Sequence, residues 1–448
     1  MIVLLAIVLC LLCAGLIAWG LVDRKRVLEF PFLAAWAVAL QILPQLYAVR
    51  STEVPYPEDG PSRVLLMTIF CLAMTAAGYS IPGRRPAVPQ WRFEGARLLI
   101  GATVLVGVGQ LFGFLIRRLP EDVTRAAQWS GTPVAYLFFA NLAPYGFAIA
   151  LALFLKFKNT WAFLLLIPNL ISTLATIILY GRRTVTATFF LTILCLLWFT
   201  KRWLPPRALV VVGLLVFGIF VFSAGDYRHV MISDDEARWA EVREIDFLGN
   251  LRPDAMVGGS TNEMVNAMYY MSAVSDTREF DLGLSLYNGL VAAYVPRQLV
   301  GEAAKASLMV DLPDQAFKVF GYEPNIGSCQ TGIAEAFLSF WYLGCLLYFL
   351  LGLVMRRLWD GAMAGSLPSQ VIYVSLLALY LGTYDGTIQN FTVPWVHLAV
   401  FLLPVFAYAR SRRPLAAKAA ALAPGGGRGV MVTRRNRALG ARLPVSRT

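Results

Sequence analysis

Arg182 and Arg183 stand side by side in the stretch Leu179–Thr186 (LYGRRTVT), between two long apolar runs. The second run reads as a helix, so the pair lies at a helix amino terminus, where guanidinium charge opposes the positive end of the helix dipole. That opposition costs roughly a few tenths of a kcal/mol when solvated and more when partly buried. A bound anion reverses it, because both guanidinium forks and the free backbone N–H groups then point at negative charge. Gly181 ends the preceding helix and lets the chain turn tightly. Tyr180, just before it, joins the pair as a candidate substrate contact. The 17 uncharged residues between Arg183 and Lys201 make about 25 Å of helix, short of a hydrocarbon core of about 30 Å. The pair is therefore drawn toward the membrane or into a cavity within it. The plain alternative is two arginines that snorkel to the interface without a ligand.

Other ionisable residues extend this chemistry. Arg297 follows Pro296 in AYVPRQLV, an apolar setting where an unpaired guanidinium is costly, and a salt bridge to Glu302 or Asp281 is the plain reading there. The stretch SAGDYRH supplies Asp226, Arg228 and His229. Glu335 lies about one turn inside an apolar run, where an ionisable group is a functional candidate by default, although the helix dipole also favours a carboxylate at that position. Arginines of this kind can hold an anionic leaving group, and a carboxylate or imidazole can take a proton. Glu335, His229 and Asp226 are the base candidates, and sequence alone does not rank them. His397, in VPWVHLAVF, reads as a hydrogen-bonded core residue.

The elements that position these residues are membrane helices. The chain has 448 residues, 58% of them hydrophobic and 15% charged, which a water-soluble core of ordinary proportions cannot accommodate. Eleven segments approach the roughly 20 apolar residues that a helical span needs. They lie near 2–22, 30–49, 64–81, 98–116, 134–155, 159–180, 184–200, 208–224, 333–354, 367–384 and 391–409. The first lacks a basic leader and a small-residue cleavage pattern and runs into Asp23-Arg24-Lys25-Arg26, so it reads as an uncleaved anchor. The expected class is an all-α polytopic integral membrane protein with about eleven transmembrane helices.

Placing the amino terminus outside puts 24 of the 39 lysines and arginines in inner segments, with only Asp23, Glu29, Glu94 and Asp360 among the acids. The net charge of +12 then reflects topology. It does not point to nucleic acid, because the basic residues flank spans instead of lining one soluble face. The organisation that follows is a membrane domain over 1–224, a large outer loop over 225–332, a second membrane section over 333–409 and a basic disordered cytoplasmic tail over 410–448.

Several function classes are excluded. There is no GxxxxGK[ST], HExxH or GxSxG, and there are only two histidines, which leaves little room for P-loop, metalloprotease or serine-hydrolase templates. Cys10-Leu-Leu-Cys13 has CxxC spacing but sits inside a span without histidine, and reads as packing; no structural metal is expected. In the outer loop, Ser233 and Glu236 fit a capping box, and Asp234, Asp235 and Glu236 read as a solvated helix start before a metal site. Met264, Met268 and Met271 recur at helical spacing and predict a helix packed on the membrane domain. Residues 285–300 are too short to span and suit an interfacial or re-entrant helix.

Three of these elements together resemble a known family. They are the Gly-x-Arg start of a span (Gly181 to Arg183), a hydrophobic-Pro-Arg stretch late in the large loop (Val295-Pro296-Arg297), and the run from Gly332 to Gly344 that opens a helix. Between Leu179 and Arg357 the chain resembles the O-antigen polymerases (Wzy-type), the oligosaccharide repeat-unit polymerases among the GT-C-type membrane glycosyltransferases. The sequence departs from that pattern in two places. Gln298-Leu299-Val300-Gly301-Glu302 stands where a Trp-Pro-x-Lys-Pro-like run often follows, and Trp341 stands where glycine is frequent.

The resemblance implies a GT-C-like fold and polymerisation of polyprenyl-diphosphate-linked repeat units on the outer face of a bacterial inner membrane. It implies no cofactor or metal. Its partners would be the lipid-linked oligosaccharide, membrane lipids, a chain-length regulator and a flippase. Arg183 and Arg297, with Arg182 or Arg228 assisting, would clamp the departing diphosphate. Two other readings share the architecture: an O-antigen ligase, which differs in its acceptor, and a transporter or flippase of lipid-linked sugars, which would line a path through the bundle with ionisable groups.

Overall fold

The computed structural model describes residues 1–51, 55–83, 93–120, 131–232, 238–252, 263–295, 297–325 and 328–411. The protein is an all-α polytopic membrane protein: among the described residues ten helices are long and apolar enough to cross a bilayer. The first eight are α1 (Ile2–Val22), α2 (Phe30–Ser51), α3 (Gly60–Ser80), α4 (Gly95–Arg117), α5 (Thr132–Phe157), α6 (Thr160–Tyr180), α7 (Arg183–Lys201) and α8 (Arg207–Ile232). Two helices of the long loop follow, α9 (Glu263–Thr277) and α10 (Leu284–Tyr294). The ninth crossing is the pair α11 (Gly332–Phe340) and α12 (Cys345–Met363); after α13 (Leu367–Leu381), α14 (Gln389–Ala409) is the tenth. Residues Met1–Arg410 form one compact unit.

The segment expected as a span over 367–384 is shorter as a helix. α13 has 15 residues, about 22 Å of rise, and stops because Gly382 opens a run of turns through Gly386. The loop built there, Gly382 to Ile388, becomes part of the site.

Two local devices depart from ideal helix and a third sets a close helix crossing, each with a residue cause. α2 holds a π-helical turn over Val38–Ile42; Pro44 cannot donate to the carbonyl of Leu40 and crowds it, and the extra residue in the turn absorbs the mismatch. The run from Gly332 is broken by a 3-10 turn over Trp341–Gly344, with Trp341 at φ +53°. Left-handed backbone is where glycine costs least, which explains why glycine suits this position; here a tryptophan occupies it. Finally, α3 and α12 touch backbone to backbone. A Cβ on Gly78 would lie 2.0 Å from the Phe349 carbonyl oxygen, and one on Gly352 would lie 2.2 Å from that of Thr75. Small residues at such crossings let membrane helices approach closely.

Apolar residues face outward as a lipid-bathed exterior requires: Leu4, Leu11, Ile171 and Val216 are all exposed. The methionine pattern of α9 is buried as its spacing predicts, with Met264, Met268 and Met271 inaccessible and Met268 pressed against Gly60. α10 lies on α14, where the Tyr294 hydroxyl donates to the Val393 carbonyl and accepts from the His397 backbone N–H at 3.2 Å. The His397 ring is buried between the Tyr145 hydroxyl at 3.1 Å and the Phe138 carbonyl at 3.0 Å, the expected hydrogen-bonded core histidine. All six cysteines are free thiols. Ser233 to Glu236, Pro296 and the tail beyond Ser411 lie outside the described residues.

Candidate functional site

The ends of α6 and α8 meet the start of α7. Gly181, at φ +54°, caps α6, and a Cβ there would lie 2.9 Å from the Tyr227 ring and 3.4 Å from the Arg228 side chain. The Tyr227 hydroxyl donates to the Ile178 carbonyl at 2.5 Å, tying α8 to the last turn of α6. This junction brings Arg182, Arg183 and Arg228 into one electrostatic neighbourhood. Arg182 and Tyr180 are exposed, whereas Arg183 and Arg228 are half-buried. The arginine ion pairs among the described residues belong to Arg63, Arg97, Arg297 and Arg356, so none of the three guanidinium groups of this cluster is held in a direct ion pair.

Arg183 also faces two carboxylates that sequence reading did not single out. Glu263 opens α9 and is buried; Asp385 sits in the turn between α13 and α14. Burial raises the Glu263 pKa above the ordinary carboxylate value, opposed in part by the charge of Arg183 and by the amide of Gln45. Its Oε2 is buried without a hydrogen-bond partner. Asp385 is pushed up to about 7, first by burial and then by the Glu263 carboxylate, with Arg183 acting in the opposite direction. The Gln41 amide, oriented as its surroundings require, donates to both Asp385 oxygens, at 3.3 Å to Oδ1. Gln41 lies inside the π turn and Gln45 one turn later, so the irregularity of α2 aims two amides at two carboxylates.

Glu335 has a different task. Its carboxylate accepts from the Thr387 hydroxyl at 2.8 Å and the Ile388 N–H at 2.7 Å, and so caps the start of α14. Gly332 makes this possible: a Cβ there would lie 2.2 Å from the Thr383 carbonyl oxygen. The same turn is held by the Tyr348 hydroxyl, which donates to the Thr383 carbonyl at 2.7 Å, and by a 2.6 Å hydrogen bond between Tyr384 and Thr75. The Asp385 turn is thus fixed from three sides. The Cys329 thiol, raised to about 11 by burial and by the charges of Glu263, Asp385 and Glu335, marks how near these carboxylates lie to one another.

The remaining candidates are more open to solvent. His229 is exposed. Asp226 is exposed and accepts from the Asn250 amide at 2.7 Å. Arg297 forms an ion pair with Glu302, the partner its sequence setting suggested, and is half-exposed. The sequence signals for Glu263 and Asp385 are indirect. Gln41 and Gln45 repeat at i and i+4 in an otherwise apolar span and therefore share one face. Asp385 is the only acid after Asp360.

Among the described residues no group of three or more histidine, cysteine, aspartate or glutamate side chains is placed to hold a metal ion. The arrangement can instead bind an anion through three arginines and take up a proton near neutral pH, with Arg183 common to both halves. Fold and site together define a multi-pass all-α membrane protein with an arginine–carboxylate cluster at one end of its bundle. Comparison with models of known families, with curated proteins and with solved structures finds no match for this chain.

Proposed function

We propose that the protein is a membrane glycosyltransferase that polymerises polyprenyl-diphosphate-linked oligosaccharide repeat units at the outer face of a bacterial inner membrane. The observation that carries this reading is the meeting of Arg182, Arg183 and Arg228 at one junction, with Arg183 facing Asp385. A diphosphate leaving group needs positive charge as its glycosidic bond breaks, and three guanidinium groups free of direct ion pairs supply it without a metal. Asp385 takes the proton of the acceptor hydroxyl, whose oxygen attacks the anomeric carbon. The bond from that carbon to the diphosphate breaks, and the diphosphate departs on its lipid with the bonding electron pair.

Asp385 replaces Glu335 as the base because it faces Arg183 of the cluster, whereas the Glu335 carboxylate is committed to the Thr387 hydroxyl and the Ile388 N–H at the start of α14. Glu335 is a positioning residue that holds the turn. Burial, and after it the charge of Glu263, keeps Asp385 basic enough to work near neutrality. Arg297 is engaged by Glu302 and stands outside the clamp.

The test incubates purified protein in lipid with polyprenyl-diphosphate-linked repeat units extracted from the host and resolves products by size. A ladder of lengthening lipid-linked glycan, lost in an Arg183→Ala/Arg228→Ala variant, is the expected result. No ladder from folded protein on native substrate would overturn the reading. Transfer appearing only when lipid A core is added would make the protein a ligase.

A further inference from the structure

A cavity lies where α3, α9 and the break in the ninth crossing meet. It has a volume of about 240 Å³ and is lined by Arg63, Ser275, Arg278, Phe280, Trp341 and Tyr342. The strand of loop after α9 is anchored to α11 by the Asp281 N–H, which donates to the Leu338 carbonyl at 3.1 Å. Tyr342 is fixed edge-on between Phe70 at 5.8 Å and Phe337 at 5.1 Å, while the Trp341 ring is half-exposed at the lip.

Two lining residues hold backbone conformations that side chains disfavour. Arg278 is at φ +58° and Trp341 at φ +53°. Each residue ends a helix: the Arg278 N–H donates to the Val274 carbonyl at 2.8 Å and the Trp341 N–H to the Phe337 carbonyl, and both residues line the cavity. The two helix ends thus fix where an indole and a guanidinium stand.

Charge decides what the cavity takes. Arg63 lies 3.3 Å from Asp59 and 3.8 Å from Asp276, so the two arginines are balanced by two aspartates at the rim. An isolated phosphate gains little there. A sugar ring gains on every side: an apolar C–H face for the indole and phenyl rings, and hydroxyls that both donate to carboxylates and accept from guanidinium groups. The volume is below the several hundred Å³ typical of drug-sized ligands and suits a single ring.

We propose that this cleft is a saccharide subsite holding one neutral sugar ring of the lipid-linked glycan, with Trp341 as the stacking platform and Arg63 and Arg278 as hydroxyl partners. The proposal rests on the glycosyltransferase reading and adds a specificity determinant to it. α11, nine residues long, separates the cleft from the Asp385 turn, so the ring held there is not the one that reacts.

The test uses repeat-unit oligosaccharide released from its lipid by mild acid and follows tryptophan fluorescence of the full chain in lipid. Trp341→Gly is the informative variant because glycine relieves the left-handed backbone as it removes the ring. The expected result is a saturable change in the wild type that vanishes in Trp341→Gly and weakens about tenfold in Arg278→Gly, which loses one good polar contact. In turnover, both variants should raise KM for the glycan and leave kcat near the wild-type value. An identical fluorescence response in wild type and Trp341→Gly would overturn the subsite, as would a Trp341-dependent response to inorganic diphosphate in place of the oligosaccharide. The two readings fail separately. A product ladder without Trp341-dependent binding removes the subsite alone, and Trp341-dependent binding without a ladder removes the polymerase alone.

Discussion

At the start of α2, Glu29 lies 4.0 Å from Arg356, which also meets Asp360 at 3.1 Å and stacks over the Tyr79 ring at 5.3 Å. Some twelve to sixteen residues along the same helix, Gln41 and Gln45 face Asp385 and Glu263, with Arg183, Arg182 and Arg228 beyond them. Both regions hold half-buried or buried charge, but in the first Arg356 is tied by direct ion pairs to both carboxylates. The second sits on a π turn and a glycine-cradled loop, and among the described residues its arginines and carboxylates meet without a direct ion pair. Charge closed into direct pairs is structure, and charge gathered on irregular backbone without such pairs is a site prepared for a ligand.

The most severe way to break this contrast is at Asp385. Asp385→Asn should lower turnover by about 10²- to 10⁴-fold, the usual worth of a general base. In the wild type the rate should climb as pH rises through about 7, because the raised pKa leaves the carboxyl protonated, and useless as a base, below that value. The variant's residual rate should be flat over the same range. The linked stability effect has the opposite sense: the contribution of a carboxyl with a raised folded pKa is complete below its ordinary value and is lost as pH rises through about 7. Thermal scans between those limits check it.

Arg183→Ala should cost about 10²- to 10³-fold in turnover, as expected for one electrostatic donor to a developing anion. Arg183→Lys should recover part of that loss, since lysine keeps charge but not the fork. Gly332→Ala tests the support and not the chemistry. Its Cβ would meet the Thr383 carbonyl oxygen at 2.2 Å and displace the Asp385 turn, so turnover should fall roughly tenfold to hundredfold while helix content by circular dichroism is unchanged. Arg356→Ala sharpens the comparison from the other side. It strands Glu29 in a buried setting and should lower thermal stability by up to about 3 kcal/mol, with turnover per folded molecule kept. Arg297→Ala should have a smaller effect on turnover than Arg183→Ala, because it removes a half-exposed ion pair.

The membrane architecture was legible in the sequence because hydropathy over about 20 residues is a strong signal, and the one helix that fell short, α13, is the one cut off by the Gly382–Gly386 turns. Arg183 was legible from its conflict with the helix dipole, and Arg228 from its place beside an apolar run. Asp385 was hidden because Asp-Gly between two apolar segments reads as turn chemistry, and Glu263 because an acid at a helix start reads as a solvated first turn. Their importance comes from α2, whose π turn brings Gln41 to a residue more than 340 positions away. Local patterns do not carry contacts of that range. Glu335 shows the converse: it was legible as an intramembrane carboxylate, but only the structure shows that its oxygens cap α14.

The most direct test sets the two ends of α2 against each other in one size-resolved polymerisation assay, with Asp385→Asn and Arg356→Ala compared at equal amounts of folded protein. The account predicts that Asp385→Asn abolishes the ladder and that Arg356→Ala retains it, with lower thermal stability. A full ladder from Asp385→Asn, or loss of the ladder in folded Arg356→Ala, would contradict it.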